Sequence, residues 1–526
     1  MTATIPPVQA PARRRPAPPL PEVPGPAEKY SYVERNLPFL ALTLTLGAAC
    51  LIFSQVRFEL SSPVPWPFAL FTAVYVAYQV ISLPVNFAGR GFDLAGHQAR
   101  LARWRPAAYP SVDIYLPICG EPIEVLRNTW AAVAGLAAGY PGLARAYVLD
   151  DGPSEEARRE SASFGFEYLR RPGLRDHKKS GNLRYAFART EGEFILILDA
   201  DFAPRADLPA EMLPYLMADE SLGIIQSPQY FRTRGRMSWM ERGAGAVQEL
   251  FYRTVQVSRD RNDGAICVGS CAIYRRTALA TNGGTSLIEH SEDVHTGFDL
   301  RGAGWGLRYI PVPLAAGLCP SDPGSFLVQQ YRWCTGSMSL LASRKFWATR
   351  MRFRTRCCYL SGFCYYAHTA LFTFVAPAIP LVMLIVIPER VRLANYLFIA
   401  PSLIYNLVVF PAWHRCRYGP EALMAKLLYG WAHIFALWDI CRRKRMGWQT
   451  TGGGKRKTGT RRIWVGLTIW NGGTGVAWVG LAAWRIATDG TAFIPLLATG
   501  LIALFITGMA LGSGRNHARI VKGAHS

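Results

Sequence analysis

Six charge-free stretches of apolar residues constrain this chain more than any other feature of its sequence. Each is long enough to cross a bilayer as a helix, since roughly 20 apolar residues span about 30 Å of hydrocarbon. The stretches are 37–56, 60–89, 357–388, 393–413, 463–484 and 490–514. The sequence therefore predicts six transmembrane helices, two before a long middle region and four after it.

Basic residues flank these stretches unevenly. Arginines cluster at 13–15 and between 90 and 105, and segment 442–462 has nine basic residues and no acid. Because basic loops stay on the cytoplasmic side, the N-terminus and the middle region are expected in the cytoplasm. A formal charge of +22 would also suit a nucleic-acid binder. The charge lies at membrane flanks, however, so no nucleic-acid partner is predicted.

The chain divides accordingly. Residues 1–28 are rich in proline and expected to be disordered. The further predicted units are two transmembrane helices (29–90), a cytoplasmic domain ending in interfacial helices (91–356), helices three and four (357–414), an interfacial helix and loop (415–462), helices five and six (463–514) and a basic tail (515–526). The apolar stretches predict a multi-pass membrane protein. Arginine greatly outnumbers lysine, which is typical of GC-rich bacterial genomes, so the expected location is a bacterial inner membrane.

The middle region alternates between strand-like and helix-like patterns from about residue 106 to 350. Apolar runs such as VDIYLPI and FILIL lack polar alternation. Such runs are typical of strands buried on both faces of a parallel sheet. The order of elements predicts an open α/β sheet, in which ligands bind beyond the carboxyl ends of the strands.

Two acidic pairs follow predicted strands: Asp150 with Asp151, and Asp199 with Asp201. Either pair alone could be a solvated turn or a helix cap. Two pairs at the same predicted edge favour a ligand site instead. Residues i and i+2 of an extended chain point to one side, so Asp199 and Asp201 can converge on a cation. Mg²⁺ prefers carboxylates together with phosphate oxygens, which implies a phosphorylated substrate.

Two further motifs lie downstream. Ser291, Glu292 and Asp293 precede a helical pattern, and Gln329, Arg332 and Trp333 precede the third apolar stretch. The first could be a helix cap, and the second could lie on an amphipathic helix at the membrane surface. Together with the acidic pairs, in this order, both motifs fit a catalytic site better.

This set of motifs, flanked by transmembrane helices, closely resembles the processive family 2 glycosyltransferases, with cellulose synthase as the nearest type. The resemblance extends from about residue 30 to 515. Three weaker segments also match the family, at Lys179, Gly181, Asn182 and Leu183, at Gly269 and Ser270, and at Pro117 and Glu121. No room is left for a C-terminal PilZ domain, so activity independent of cyclic-di-GMP is expected.

The resemblance implies a GT-A fold that binds a UDP-sugar with Mg²⁺ or Mn²⁺. Its implied nucleotide or diphosphate contacts are Glu121, Asp150, Asp151, Lys179 and Arg332. Its implied metal ligands are Asp199 and Asp201, and its acceptor site comprises Gly269, Ser270, Gln329 and Trp333. Asp293 would be the general base, whereas Glu292 would point elsewhere on a helix.

The segment WQTTGGGK occupies the position of a gating loop in cellulose synthases. The corresponding residues are Trp448, Thr450, Thr451 and Lys455, although the lysine is displaced by two positions. The alternative is a flexible basic linker attracted to anionic lipid.

The expected activity is polymerisation of a UDP-hexose, with inversion, into a β-linked polysaccharide. UDP-glucose is the favoured donor, and the polymer is expected to leave through a channel between the membrane helices. Other β-glycans, made from N-acetylglucosamine or mannose, remain open, as does a non-processive lipid glycosyltransferase. A degenerate transferase acting as transporter or scaffold would lack Asp199, Asp201 or Asp293, and all are present. Expected partners are the growing polysaccharide, the lipid bilayer and accessory secretion subunits.

Overall fold

The computed structural model describes residues 20–33, 37–87, 91–174, 176–233, 237–443 and 460–523. Four helices precede the middle region: α1 (Pro26–Lys29), α2 (Leu37–Glu59), α3 (Ala69–Asn86) and α4 (Leu94–Arg103). The first two predicted membrane stretches correspond to α2 and α3, which pack against each other.

Ten strands follow: β1 (Val112–Ile118), β2 (Ala144–Asp150), β3 (Glu167–Leu169), β4 (Phe194–Ile197), β5 (Ala203–Pro204), β6 (Leu222–Gln226), β7 (Tyr230–Phe231), β8 (Ala272–Arg275), β9 (Gly306–Tyr309) and β10 (Ala315–Gly317). Seven form one sheet in the order β3-β2-β1-β4-β8-β6-β9, and β5, β10 and β7 form a small second sheet. Strand β8 runs antiparallel to both its neighbours, while the other pairs of the large sheet are parallel. The predicted open α/β sheet is confirmed.

The helices of this domain are α5 (Ile123–Gly139), α6 (Glu155–Ser163), α7 (Lys178–Phe187), α8 (Leu208–Ala218), α9 (Trp239–Leu250), α10 (Gln256–Arg261), α11 (Arg276–Ala280), α12 (Glu292–Gly302), α13 (Pro323–Leu341) and α14 (Arg344–Ala348). Strand β4 shows why its sequence lacks polar residues. Phe194 and Leu196 belong to the hydrophobic core on one face, and Ile195 and Ile197 belong to the core on the other.

The C-terminal helices are α15 (Phe353–Val375), α16 (Ala378–Ile385), α17 (Ala400–Ile404), α18 (Phe410–Trp413), α19 (Pro420–Cys441), α20 (Arg461–Gly466), α21 (Gly473–Asp489) and α22 (Ile494–Gly523). Among the described residues, four helices are long and apolar enough to cross a membrane: Pro38–Glu59, Trp66–Asn86, Phe353–Ile385 and Thr491–Gly512.

The other two predicted crossings are helical but do not meet the same criterion. Ala400–Trp413 is apolar but shorter than a full span. α20 and α21, joined by a π-helical segment, Leu467–Gly472, form the second. Residues 461–489, which include both helices and the segment between them, contain Asn471 and several glycines, which lower the hydropathy. The total of six crossings therefore stays a prediction.

Helix α19, expected to lie at the membrane interface, is largely enclosed by protein. It packs against α9, α13 and α15. Met424, Leu428 and His433 on it are fully buried.

Residues 20–33 are an ordered segment on the surface of the α/β domain, which corrects the predicted disorder for residues 20–28. Arg232 forms ion pairs with Glu22, at 3.0 Å, and with Glu28. Lys29 Nζ lies 2.7 Å from Asp207 Oδ2 and 2.5 Å from Glu211 Oε1. We call residues 20–33 the N-terminal strap.

Candidate active site

Three of the predicted segments leave the large sheet at the same edge. Asp150 is the last residue of β2, and Glu121 and Asp199 lie shortly after β1 and β4. Strands β2, β1 and β4 are parallel neighbours, so their carboxyl ends meet. A cavity of about 1650 Å³ opens there. The predicted residues that line it are Glu121, Asp151, Lys179, Asp199, Asp201, Asp293, Gln329, Arg332 and Trp333.

Asp199 and Asp201 both line this cavity. The backbone N–H of Asp199 donates to Ser270 Oγ at 2.9 Å, which fixes the chain just after β4. Burial, together with the negative charge of Asp199, raises the pKa of Asp201 to about 7. A divalent cation would relieve this repulsion, and carboxylate oxygens suit Mg²⁺ or Mn²⁺, so the two residues fit such an ion. In the described parts of the chain, no group of three or more His, Cys, Asp or Glu side chains could hold a metal.

Lys179, in the first turn of α7, reaches the same carboxylates. Its Nζ donates to Asp199 Oδ1 at 2.5 Å and to the Gly269 carbonyl at 3.2 Å, and it lies 3.8 Å from Glu292 Oε1. Burial lowers the pKa of Lys179, but Asp199 and Glu292 outweigh it and raise that pKa above its usual value. A charged ammonium is therefore held beside the proposed metal ligands.

The two aspartates after β2 have different surroundings. Asp150 is fully buried and accepts hydrogen bonds from two backbone N–H groups of the following turn and from Tyr168 Oη. It shapes the turn, and its nucleotide contact stays a prediction. Asp151 lines the cavity and forms a bidentate pair with Arg171, whose Nε and Nη2 each lie 2.7 Å from one carboxylate oxygen.

Arg171 is a further residue of the site that was not among the predicted ones. It follows β3, so its side chain reaches the same sheet edge as the aspartates. The strand-end rule that singled out Asp151 could have found it.

Asp293 lies in the first turn of α12 and lines the cavity. One of its oxygens accepts from the Val294 N–H at 2.8 Å. Burial and the neighbouring Glu292 raise the pKa of Asp293 to about 7, although Lys179 opposes the rise. A carboxylate with such a pKa can take up a proton near neutral pH, as a general base must. Glu292, expected to point elsewhere, lines the cavity too.

Ser291 occupies the N-cap position of α12 without forming a side-chain capping bond. Its φ is 55°, in the left-handed region, so the motif begins with a sharp backbone turn. Gly336 of α13 packs directly on this side chain, and a Cβ there would overlap the Ser291 hydroxyl. A capping role therefore does not account for the serine.

Gly269 and Ser270 support the acidic residues from behind. Gly269 has a φ of 73°, and a Cβ on it would lie 2.8 Å from the Asp293 Cβ, so only glycine fits. Ser270 is fully buried, and its Oγ accepts from the Asp199 N–H. Both residues thus support the acidic side chains, and their contact with the acceptor stays a prediction.

Gln329, Arg332 and Trp333 lie on one face of α13, since residues three and four apart are neighbours on a helix. That face lines the cavity, while Phe326 and Leu327 are fully buried in a core shared with α19. This enclosure does not match a helix lying on the membrane surface. Burial lowers the pKa of Arg332, although nearby carboxylates, Glu292 first, oppose the shift.

The same cavity continues beyond the α/β domain to the apolar helices. Its further lining includes Tyr78 of α3, Phe363, Tyr365 and Tyr366 of α15, Tyr429 of α19, and Trp464 and Thr468. The predicted gating residues Trp448, Thr450, Thr451 and Lys455 lie outside the described residues.

Comparisons with known proteins agree with this geometry. A model of the family "Glycosyl transferase family group 2" matches residues 194–412. The catalytic subunit of UDP-forming cellulose synthase 1 from Komagataeibacter xylinus is 30% identical over 335 residues, which are 63% of this chain and 43% of that protein. The corresponding subunit of Xanthomonas axonopodis pv. citri is 30% identical over 259 residues, 48% of this chain and 35% of that protein.

The chain thus spans less than half the length of these curated relatives. Among solved structures, a mannosyltransferase from Pyrobaculum calidifontis in complex with GDP-Man and Mn²⁺ is 14% identical, with a TM-score of 0.48. The match covers 70% of this chain and 99% of that one, but a TM-score this low says nothing about function.

The family match begins at β4 and contains the Asp-x-Asp, Ser-Glu-Asp and Gln-x-x-Arg-Trp motifs. The sheet places their carboxylates at one edge, beside long apolar helices. The chain therefore matches the model "Glycosyl transferase family group 2" over residues 194–412, and over 63% of its length it is similar to a bacterial cellulose synthase catalytic subunit.

Proposed function

We propose that this protein is a membrane-embedded inverting glycosyltransferase that polymerises a UDP-hexose into a β-linked polysaccharide, and that the favoured donor is UDP-glucose. The observation that carries the proposal is one continuous cavity. It begins at the aspartates of the sheet edge and ends among tyrosines between the apolar helices. A growing polymer needs such a path, because it must stay near the donor while it passes the membrane.

The donor end would bind the UDP part of the substrate. Asp151, oriented by Arg171, and Lys179 line this end, and Arg332 of α13 lines the same cavity. When bound, a divalent cation held by Asp199 and Asp201 with the diphosphate would stabilise the negative charge of the leaving UDP. Lys179 and Arg332 add fixed positive charge where the leaving group develops its own.

Asp293 would take the proton from the acceptor hydroxyl as this oxygen attacks the anomeric carbon. Attack from the face opposite UDP inverts an α-linked donor to a β-linked product, with no covalent sugar–enzyme intermediate. A positioned general base typically contributes 10²–10⁴-fold to such a step. Position 269, where only a glycine fits, lies against the Asp293 side chain and so limits where that side chain can lie.

The acceptor end would bind sugars by their ring faces. An indole or phenol ring packs on the apolar face of a sugar while its N–H or O–H donates a hydrogen bond. Trp333 lines the same cavity as Asp293, and Tyr365, Tyr366 and Tyr429 continue the lining. We place the α/β domain on the cytoplasmic side of a bacterial inner membrane, following the distribution of basic residues.

The reaction is tested with purified protein in liposomes, given a panel of radiolabelled UDP-sugars with Mg²⁺ or Mn²⁺. We expect polymer from UDP-glucose that a β-glucan hydrolase digests. Polymer from another UDP-hexose would correct the sugar, and transfer of single sugars to lipid would refute polymerisation.

The metal assignment is tested by calorimetry with UDP-glucose and Mn²⁺. We expect Asp201→Ala to abolish cation-dependent binding, while Glu124→Ala, an exposed acidic residue on α5, leaves it unchanged. Unchanged binding by Asp201→Ala would remove Asp201 as a ligand.

A further inference from the structure

A second cavity, of about 520 Å³, lies at the far edge of the sheet beside β9. It shares no lining residue with the proposed active site. The basic residues that line it are Arg261, Arg301, Arg308, Arg350 and Arg352. Five guanidinium groups in so small a space repel one another unless anions separate them.

Three aspartates in the lining offset this charge only in part. Asp263 pairs with Arg301 at 2.7 Å, and Asp260 pairs with Arg308 at 3.2 Å. Asp219 accepts hydrogen bonds from the backbone and side chain of Ser221. The lining therefore keeps an excess of two positive charges.

Several guanidinium groups are left available to a ligand. Within the described chain, Arg350 and Arg352 form no ion pair, and Arg261 donates to a backbone carbonyl, that of Gly91. The Arg301 side chain is only 8% exposed and is held by Asp263 and Tyr359. The guanidinium donors open to a ligand are therefore chiefly those of Arg350 and Arg352.

The cavity lies where the α/β domain meets the start of a candidate membrane span. Arg352 directly precedes α15, whose apolar span begins at Phe353. Phe353 is 80% exposed and Trp347 is 55% exposed, beside the segment that lines the cavity. Aromatic and basic residues at the end of a span are typical of the membrane interface. A headgroup of the adjacent leaflet would therefore be within reach of long arginine side chains.

We propose that this cavity binds a phosphate group, which an anionic phospholipid headgroup or a free phosphate ester would supply. A guanidinium group presents paired N–H donors that match two phosphate oxygens, so arginine clusters bind phosphate with geometric specificity. Basic pockets beside membrane helices bind phosphate headgroups for the same reason.

Arg354 provides the matched control. It is exposed, it lies two residues beyond Arg352, and it is not part of the cavity lining. If anionic lipid were attracted only by the positive charge near the start of this span, then Arg350, Arg352 and Arg354 would all contribute. A built site would depend on Arg350 and Arg352 and not on Arg354.

The experiment uses the full chain in detergent at physiological ionic strength, as wild type, as Arg350→Ala/Arg352→Ala and as Arg354→Ala. Each protein is titrated with short-chain phosphatidylglycerol, short-chain phosphatidylcholine, glycerol phosphate and inorganic phosphate, and thermal unfolding reports binding. We expect phosphatidylglycerol to bind wild type and Arg354→Ala alike. The double variant should bind about 100-fold more weakly, at roughly tenfold per arginine.

The titrations with glycerol phosphate and inorganic phosphate identify the source of the phosphate. Binding of phosphatidylglycerol alone indicates a lipid headgroup, and equal binding of glycerol phosphate or inorganic phosphate indicates a free ester. Equal affinity of wild type and the double variant, an equal loss in Arg354→Ala, or equal binding of phosphatidylcholine would each overturn the proposal. If the double variant melts lower without ligand, Arg350→Lys/Arg352→Lys replaces it. This variant keeps the charge and should still lose affinity, because lysine lacks the paired donors.

Discussion

Replacing Asp293 by asparagine tests how the proposed active site works. The substitution keeps the size of the side chain and removes the ability to accept a proton. A positioned base typically contributes 10²–10⁴-fold, so kcat should fall by that factor, or about 3–5 kcal/mol of transition-state stabilisation. Affinity for UDP should be unchanged or slightly higher, because a negative charge near the diphosphate is lost.

The pH profile makes this prediction sharper. Burial and Glu292 raise the pKa of Asp293 to about 7. The base acts when deprotonated, so wild-type single-turnover rates should fall by about tenfold for each pH unit below about 7 and level off above it. Asp293→Asn should lose this slope along with the rate.

Glu292→Gln is the control for the electrostatic cause. The charge of Glu292 raises the pKa of Asp293. Without that charge, the pH–rate profile of the variant should therefore lie at lower pH than that of wild type, while turnover persists. Rates are measured with radiolabelled UDP-glucose, and UDP affinity is measured by calorimetry. An Asp293→Asn rate within tenfold of wild type, or an unchanged acidic slope in that variant, would refute the assignment.

Three further substitutions test the surroundings of the site. Gly269→Ala should inactivate the enzyme, whereas Gly165→Ala, at nearly the same φ of 72° but in open space, should cost only about 1–2 kcal/mol of stability and keep activity in transfer assays. Arg171→Ala leaves a buried aspartate unpaired and should destabilise the domain by about 3–5 kcal/mol in denaturant titrations. Arg170→Ala, exposed beside it, should be near neutral. Arg232→Ala should free the N-terminal strap, raising its proteolysis rate and lowering stability by about 1–2 kcal/mol.

The sequence predicted the parts of this protein that follow from local patterns. Strand β4 is buried on both faces, and its residues are apolar without alternation for that reason. The carboxyl ends of neighbouring parallel strands must meet, so Asp199 and Asp151 could be placed together from the sequence alone. Charge-free runs likewise located the apolar helices, because the hydrocarbon layer sets their length.

Contacts between distant segments were not predictable in this way. Proline-rich composition indicated disorder for residues 20–28, yet Glu28 pairs with Arg232, which lies 204 residues away. Nothing near Glu28 in the sequence shows that partner. The packing of Gly269 and Ser270 behind the acidic residues was not predictable for a related reason. Their motif placed them at the site, but whether they face the cavity or support it depends on backbone angles that a motif does not contain.

The charges of the cavity explain why adjacent carboxylates after β4 can be tolerated. Asp199 is paired with Lys179 at 2.5 Å, and Asp201 has a pKa raised to about 7 because burial and Asp199 both favour its protonated form. Before any ligand binds, the pair would therefore carry less negative charge than two free aspartates. A diphosphate arriving alone would add repulsion, and a cation arriving with it would remove both repulsions at once. Lys179 would then be released from Asp199 to the phosphate oxygens. These charges support the proposal that the acidic strand end binds a cation–diphosphate complex rather than either component alone.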